Sequence, residues 1–324
     1  MKIIFFGTAE FSEIVLQSLI DNDLKPVLAV SQPDRPQGRK HKIVKTNVHA
    51  LADKYDIPVY QPKSLKPAEV TEKLAKYEPD FLITAAYGNI IPDSVLDLAK
   101  IEALNVHASL LPKYRGASPV QATLINQDEV TGVSIMRMVS KLDAGPVFKQ
   151  FKYEIPDLMR ADELSLELAR LAAKHLPTVL AEITKGELEA KEQDEDKATY
   201  AGLLNKKMGK VKWKDSARAI EGLVRGLYPW PSAYSFEGKR RFKIHQAKAY
   251  KLEDLDFEIP EDKLAAADYG TVVALENKSI YVKTGEGILE LIEIQKDNSR
   301  KMNTKEIYHN YESFEDKFSN EQVK

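Results

Sequence analysis

The sequence contains no cysteine and no long apolar run, and each absence removes a class of protein. Without cysteine the chain cannot form disulfides, thiolate metal sites or a cysteine nucleophile, and it fits a reducing compartment. No apolar stretch approaches the roughly 18–20 residues that a membrane span needs. The apolar run 3–6 is too short for the core of a signal peptide, and Glu10 follows it closely. We therefore expect a cytoplasmic protein with no membrane partner.

Three motifs that carry familiar chemistry are also missing. Gly7 lies at the predicted first strand-to-helix turn, but the dinucleotide-binding pattern G-x-G-x-x-G is absent, and Glu10 would place a negative charge near a phosphate. No G-x-S-x-G elbow supports a serine triad. No second histidine or carboxylate stands at ligand spacing from His107. The sequence therefore argues against NAD binding, a serine hydrolase and a metal site.

Charge is distributed unevenly along the chain. The 324 residues carry a formal net charge of -2, yet segment 205–251 holds thirteen Lys and Arg against three Asp and Glu, a net +10. The chain as a whole does not look like a nucleic-acid binder. The basic segment does, because aromatic residues are interleaved with its cations. The ordinary alternative is that most of these aromatic residues fill a small core.

Strands and helices alternate through the first part of the chain. Continuous apolar runs are typical of buried strands, and apolar residues at helical spacing are typical of amphipathic helices. The predicted strands are 3–6, 27–30, 59–60, 81–86, 103–107 and 133–138. The predicted helices are 10–20, 48–55, 69–77 and 163–183. This alternation predicts an α/β, Rossmann-like domain over residues 1–186 with a mostly parallel sheet.

The remainder of the chain has a different character. Six acidic residues in 187–198 indicate an exposed acidic linker over 187–204. Short alternating runs separated by glycine-containing turns follow a predicted helix at 216–227. These runs are 234–236, 242–244, 271–273, 279–282 and 289–291. They predict a small all-β barrel over the basic region 205–311, followed by a polar, frayed tail at 312–324.

Polar groups stand at the ends of two predicted strands. Asn105 and His107 are two residues apart on one strand, so both project from the same face, roughly 7 Å apart. Asp143 follows a later strand, on a turn where the functional groups of α/β folds collect. An amide can donate to an oxyanion, and a histidine beside a carboxylate can move a proton near neutral pH. Taken alone, this pattern is more often structural than catalytic.

A longer stretch around these residues resembles the signature of the folate-dependent formyltransferases. The stretch is 105–119, NVHASLLPKYRGASP. Further matching segments are 7–11 (GTAEF), 31–36 (SQPDRP) with 38–39 (GR), 86–88 (AYG) with 91–92 (IP), 142–145 (LDAG) and 228–231 (YPWP). One departure is Ala108, where many members carry glycine. The resemblance extends over essentially the whole chain, and it is closest to members that formylate an aminoacyl-tRNA.

The resemblance implies a reaction and the residues that perform it. The formyl group of 10-formyltetrahydrofolate would pass to the α-amine of initiator methionyl-tRNA, without a metal. Asn105, His107 and Asp143 would be catalytic. The folate would contact the loop Ser109, Leu110, Leu111 and Pro112, together with Tyr87 and Gly88. The second domain would be OB-like, and we expect a monomer.

Basic residues form two candidate contact sites for tRNA. Loop 31–47 carries five cations and one acidic residue, Asp34, and is longer than most loops. By itself it is as readily a solvated charged loop. In the family that the chain resembles, the corresponding loop contacts the acceptor end of the tRNA, and Arg39 matches the arginine involved. The expected contacts are Arg39, Lys40, Lys42, Lys206, Lys207 and Lys210.

Three other functions are compatible with parts of this pattern. A formyltransferase acting on a nucleotide or an amino sugar would share the Asn, His and Asp site but would not need the basic second domain. A nucleic-acid-binding protein without catalysis would explain the basic domain but not that site. Hydrolysis of the formylfolate would use the same residues with water as the acceptor.

Overall fold

The computed structural model describes residues 1–37, 42–312 and 316–321. These residues form two compact units, and neither unit is continuous in sequence. The first unit comprises Met1–Pro119, Val130–Glu154 and Ser165–Gly202. The second unit comprises Val120–Glu129, Ile155–Leu164 and the chain from Leu203 onward. Because each unit is made of several segments, no single boundary in the chain separates the two units. The domain boundaries predicted from the sequence remain predictions.

The chain up to Gly202 contains eleven strands and six α-helices within its described part. The strands are β1 (Ile3–Gly7), β2 (Leu28–Val30), β3 (Arg35–Gln37), β4 (Lys42–Val44), β5 (Val59–Tyr60), β6 (Phe81–Ala85), β7 (Glu102–His107), β8 (Arg115–Gly116), β9 (Val130–Arg137), β10 (Val147–Glu154) and β11 (Tyr200–Ala201). The helices are α1 (Glu10–Asp21), α2 (Asn47–Lys54), α3 (Ala68–Ala75), α4 (Asp93–Leu96), α5 (Pro119–Ile125) and α6 (Ala161–Thr184).

Seven of these strands form the main sheet, in the order β10-β9-β7-β6-β1-β2-β5. The pairs from β7 to β5 are parallel, and β9 and β10 are antiparallel. This confirms the predicted α/β fold with a mostly parallel sheet. The central strands β1 and β6 are buried at every residue, as is typical of parallel strands inside a sheet, and this burial explains their continuous apolar sequences.

Strand β10 was not predicted, because its sequence does not look like a buried strand. Lys149, Gln150, Lys152 and Glu154 alternate with Phe148, Phe151 and Tyr153, and only Phe148 is buried. The strand lies at the edge of the sheet, and three of its eight residues are exposed to solvent. The structure also differs from the prediction in region 31–47, which was expected to be an irregular loop. There the short strands β3 and β4 pair in antiparallel fashion.

The second unit is built around a curled antiparallel sheet. Its elements after Gly202 are α7 (Ala217–Gly226), β12 (Ala233–Glu237), β13 (Arg240–Tyr250), α8 (Glu261–Ala266), β14 (Val272–Glu276), β15 (Ser279–Lys283), β16 (Ile288–Lys296), β17 (Met302–Asn303) and β18 (Phe318–Ser319). The sheet order is β14-β15-β16-β13-β12-β18, with β17 against β16. This confirms the predicted small β domain as a half-barrel.

Trp213 and Phe318 lie at the centre of this unit's core. Phe318 is 1% exposed, stacks on Trp213 and packs against Phe242. The indole of Trp213 donates to Ser235 Oγ at 2.9 Å. Residues 316–321 therefore differ from the frayed tail expected over 312–324, since β18 pairs with β12; the prediction for 313–315 and 322–324 lies outside the described residues. None of the helices in the described ranges is both long and apolar enough to cross a membrane.

Candidate active site

Strand β7 presents Asn105 and His107 on one face of the main sheet, as the spacing predicted. Asn105 pairs with Thr84 of β6 and with Met136 of β9, which places it near the centre of the sheet. His107 is 5% exposed, whereas Asn105 is only half-buried. The apolar residues of the same strand are buried, and their packing holds the side chains of Asn105 and His107 in place.

Asp143 joins these two side chains from the turn between β9 and β10. Its Oδ1 accepts from Asn105 Nδ2 at 3.2 Å, and its Oδ2 accepts from the backbone N–H of Gly116 at 2.8 Å. Its Oδ2 also lies 3.7 Å from His107 Nδ1. The structure thus brings together the three residues that the sequence singled out. Gly116 is a fourth group that the sequence did not identify.

The surroundings of His107 determine which of its nitrogens is free. Nε2 lies 2.9 Å from the backbone carbonyl oxygen of Tyr114. A carbonyl oxygen only accepts, so Nε2 carries a hydrogen and donates it. In the neutral ring the lone pair is therefore on Nδ1, the nitrogen that faces Asp143. Protonation at Nδ1 would place a positive charge beside the carboxylate.

Asn105 retains one amide hydrogen for another acceptor. Of its two amide hydrogens, one is donated to Asp143 and the other has no partner within the described residues. Nearby, the hydroxyl of Thr84 is buried and likewise lacks a hydrogen-bond partner among the residues described. Buried polar groups are normally satisfied. Asn105 and Thr84, on adjacent strands, thus each have a hydrogen-bonding group that a polar ligand at this edge of the sheet can satisfy.

The predicted folate loop is tightly held. Ser109 is fully buried, and its Oγ donates to the carbonyl of Lys113 at 2.6 Å. Ser134 Oγ donates to the carbonyl of Ser109 at 2.7 Å and accepts from the backbone N–H of Leu111 at 3.0 Å. The hydroxyl of Ser109 is therefore committed within the loop. Leu110 and Pro112 are half-buried and remain the more accessible members.

Tyr87 and Gly88 follow β6, next to the edge that carries Asn105. The ring of Tyr87 is 2% exposed and packs edge-on against Phe6, and burial raises the pKa of its hydroxyl. Its backbone carbonyl accepts from Thr8 Oγ1 and from Gln32 Nε2, both at 3.0 Å. Gly88 is exposed and adopts φ +83°, a conformation that favours glycine. Any ligand contact here would involve exposed backbone, since the ring of Tyr87 is in the core.

The residues expected to contact tRNA lie in several places. Arg39 and Lys40 are outside the described residues, and Lys42 begins β4. Lys206 and Lys207 lie exposed in a 3-10 helix, Lys206–Gly209, near the start of the last segment of the second unit. Lys210 follows it, 3.6 Å from Glu321. Their roles remain predictions.

The hairpin β3–β4 is anchored at its base by Asp34. Its carboxylate accepts from His49 Nδ1 at 2.9 Å, from Gln61 Nε2 at 2.8 Å and from the backbone N–H of Thr46 at 3.1 Å. Burial raises the pKa of Asp34, but these hydrogen bonds outweigh it and hold the pKa below its usual value. The acidic residue in the basic loop is thus structural.

A hydrogen-bond network centred on Arg115 was not predicted from the sequence. Arg115 is fully buried; Glu195 and Gln193, from the segment expected to be an exposed linker, bond its guanidinium. The only signal was that Arg115 lies within the signature stretch 105–119. Gln193 stands among acidic residues that read as solvated, and a long-range contact of this kind leaves no periodic pattern. Across the described residues, no group of three or more His, Asp or Glu side chains could hold a metal ion.

Family models and relatives of known name match most of the chain. A formyl transferase family model matches residues 1–180, and a model of the formyl transferase C-terminal domain matches residues 203–312. A methionyl-tRNA formyltransferase of Sulfurihydrogenibium sp. (strain YO3AOP1) is 38% identical over 312 residues, covering 96% of this chain and 97% of that protein.

Two solved structures share the fold. The sugar 3N-formyl transferase WlaRD, in the presence of dTDP and 5-N-formyl-THF, superposes with a TM-score of 0.65 at 16% identity, over 93% of this chain and 99% of that one. A methionyl-tRNA formyltransferase from Clostridium thermocellum superposes with a TM-score of 0.53 at 17% identity, over 76% of this chain and 93% of that one.

Proposed function

We propose that this chain, which belongs to the formyl transferase family, transfers the formyl group of 10-formyltetrahydrofolate to the α-amine of initiator methionyl-tRNA. The observation that carries the proposal is the contact of Asn105 and His107 with one carboxylate, that of Asp143. Formyl transfer needs a donor to the formyl oxygen and a group that moves one proton, and this cluster offers both.

In the proposed reaction Asn105 acts on the formyl oxygen. The α-amine attacks the formyl carbon, a C–N bond forms, and the carbonyl electron pair moves onto oxygen. The uncommitted amide hydrogen of Asn105 donates to that oxyanion. Its other hydrogen, donated to Asp143, fixes the direction of the amide. Such a preorganised donor stabilises the charge that develops during the reaction.

His107 moves the proton in the same scheme. Nδ1, the nitrogen with the lone pair, takes a proton from the attacking amine, and Asp143 stabilises the resulting imidazolium. Collapse of the intermediate breaks the bond between the formyl carbon and N10 of the folate. The same proton then passes from Nδ1 to N10, so the imidazole ends neutral and the formylated amine leaves as an amide.

The proposed folate site lies beside this cluster. Leu110 and Pro112 supply accessible apolar surface, and the exposed backbone at Gly88 supplies polar groups. The orphaned hydroxyl of Thr84 adds a further polar position near Asn105. Ser109 supports the loop from within, since its hydroxyl bonds Lys113.

The proposed acceptor is a tRNA because of the charge of one segment. Segment 205–251 has a net charge of +10, and exposed Lys206 and Lys207 lie near its start. Clustered lysines and arginines bind phosphates and release counterions. A formyltransferase for a free amino sugar would not need such a surface. We propose that the chain works as a monomer in the cytoplasm, where tRNA and folate are available.

The test supplies one formyl donor with three acceptors. Purified protein is mixed with 10-formyltetrahydrofolate and methionyl-initiator tRNA, a dTDP-amino sugar, or buffer alone. Formyl transfer to the tRNA-borne methionine, with little transfer to the sugar and slow hydrolysis, is the expected result. Transfer to the sugar alone would overturn the proposal, as would release of formate with no formylation of the tRNA-borne methionine.

A further inference from the structure

We propose that Gln193 is a positioning residue of the candidate active site, whose amide holds the turn that carries Asp143. Gln193 Nε2 donates to the backbone carbonyl of Asp143 at 2.8 Å and to that of Gly145 at 2.7 Å. The segment that looked like an acidic linker therefore reaches the turn between β9 and β10. The inference rests on the proposed role of Asp143 in formyl transfer.

The turn needs such support because its backbone is strained. Asp143 adopts φ +48°, in the left-handed region that side chains other than glycine enter at a cost. Such conformations persist where the surroundings fix them. Two carbonyls of this turn, those of Asp143 and Gly145, point to the same side and accept from a single amide group. Replacing that amide leaves both carbonyls without this donor.

The oxygen of the Gln193 amide is also held by two hydrogen bonds. Its Oε1 accepts from Arg115 Nε at 3.0 Å and from Nη2 at 2.9 Å. Arg115 is fully buried, which limits the movement of its guanidinium, and its backbone N–H bonds the carbonyl of Thr199. Gln193 is thus a bridge between a rigid arginine and a strained turn.

The residue next to Arg115 also bonds the carboxylate of Asp143 directly. Gly116, the residue after Arg115, donates its N–H to Asp143 Oδ2 at 2.8 Å. Gln193 therefore contacts both sides of this hydrogen bond: the backbone of Asp143 and the side chain of the residue next to Gly116. A shift of the turn would move Asp143 away from Asn105 and His107 together. Displacements of about 1 Å in a catalytic group can reduce a rate by ~10²-fold.

The experiment compares Gln193→Glu and Gln193→Ala with the wild type. The first variant keeps the size of the side chain and its acceptors for Arg115 but removes both donors; the second removes the whole bridge. Gln17→Glu is the matched control, since Gln17 Nε2 also donates twice, to Asp21 at 2.7 Å and to Tyr55 at 3.0 Å, away from the candidate site. Steady-state kcat and KM are measured with formyl donor and methionyl-tRNA. Thermal unfolding is recorded for each protein.

A second measurement does not depend on substrate. The chain has 15 glycines, so selective ¹⁵N-glycine labelling gives a small set of amide signals, and Asp143→Ala, which removes the acceptor of the Gly116 N–H, identifies that of Gly116. In both Gln193 variants we expect kcat to fall by roughly 10- to 100-fold with KM nearly unchanged, and the Gly116 amide signal to move. Gln17→Glu should change neither.

The outcomes separate the two proposals. Normal kcat in both Gln193 variants of a chain that formylates methionyl-tRNA would overturn the positioning role, and so would an unmoved Gly116 signal. If the wild type does not formylate methionyl-tRNA but the Gly116 signal still moves in the variants, the proposed function is wrong while Gln193 does hold Asp143.

Discussion

The buried guanidinium of Arg115 is held by the carboxylate of Glu195 through two hydrogen bonds, of 2.8 and 3.1 Å. The two residues lie 80 positions apart in sequence. Within the first unit, the pair joins segment 187–202 to the signature stretch, next to the strand pairing of β8 with β11. The hydrogen bonds from Arg115, and secondarily from Lys141, lower the pKa of Glu195 from 4.5 to about 2.

This depressed pKa predicts how stability depends on pH. A carboxyl whose pKa is lower in the folded state stabilises the fold above its unfolded pKa and loses that contribution as the pH falls through the folded value. We expect the stability difference between wild type and Glu195→Gln to be constant above pH 5 or so and to shrink between pH 4.5 and 2. Chemical denaturation at a series of pH values measures it. A difference that does not change with pH would contradict the pairing.

Removal of Asn105 should slow the chemical step. Asn105→Ala deletes the proposed oxyanion donor, and loss of one such donor typically lowers kcat by ~10²–10³-fold. Single-turnover transfer to methionyl-tRNA measures the step directly. Asn22→Ala, at an exposed residue that bonds only its own helix, is the control. Near-normal turnover in Asn105→Ala would remove the amide from the mechanism.

The charge of Asp143 should matter more than its shape. Asp143→Asn keeps an oxygen for the Gly116 N–H but no longer stabilises an imidazolium at His107. We expect kcat to fall by ~10²-fold or more, with a small change in the KM for either substrate. Circular dichroism and thermal unfolding show whether the variant is folded. Retained kcat with raised KM would instead indicate a role in substrate binding.

Binding of tRNA should depend steeply on salt. Each phosphate contact releases counterions, so the affinity falls as salt rises, and charge reversal removes contacts. The triple variant Lys206→Glu, Lys207→Glu and Lys210→Glu should weaken binding by roughly tenfold or more at low salt and flatten the salt dependence. Filter binding with initiator tRNA measures both. The same reversals at exposed Lys25, Lys76 and Lys185 are the control, and an equal loss there would mean that only net charge matters.

The end of the chain should be required for stability of the second unit. Phe318 is 1% exposed and contacts Trp213, Phe242 and Tyr311. Phe318→Ala should cost about 3–5 kcal/mol in the free energy of unfolding, as large-to-small changes of buried aromatics do. Denaturant titration followed by tryptophan fluorescence reports it, since Trp213 adjoins the site. Lys317→Ala, at an exposed neighbour, should change stability little.

Local patterns were enough to predict most of the architecture. Apolar runs such as 81–86 and 103–107 predict buried strands because a strand inside the sheet buries side chains on both of its faces. The pair Asn105 and His107 follows from strand geometry, since residues two apart share a face. Strand β10 was not predicted because an edge strand is polar on one side. The burial of Phe318 was not predicted because one aromatic residue among polar ones shows no periodicity.

The supporting network of the site was not predictable in the same way. Gln193, Glu195 and Arg115 meet only after the chain has folded, and glutamine and glutamate in a polar segment are usually solvated. The contact of His107 Nε2 with the carbonyl of Tyr114 involves backbone, which the sequence does not mark. Roles for Lys206, Lys207 and Lys210 rest on charge alone and remain to be measured.

The second unit takes residues 120–129 and 155–164 from within the part of the chain that mostly builds the first. A Cβ on Gly222, in α7, would lie 2.8 Å from the carbonyl oxygen of Leu124, so this helix packs closely on the early segment. A fragment beginning at residue 203 would lack that surface and would make a poor stand-alone RNA-binding module. During synthesis these two early segments are made before α7, so the second unit can pack only after both parts of the chain have been translated.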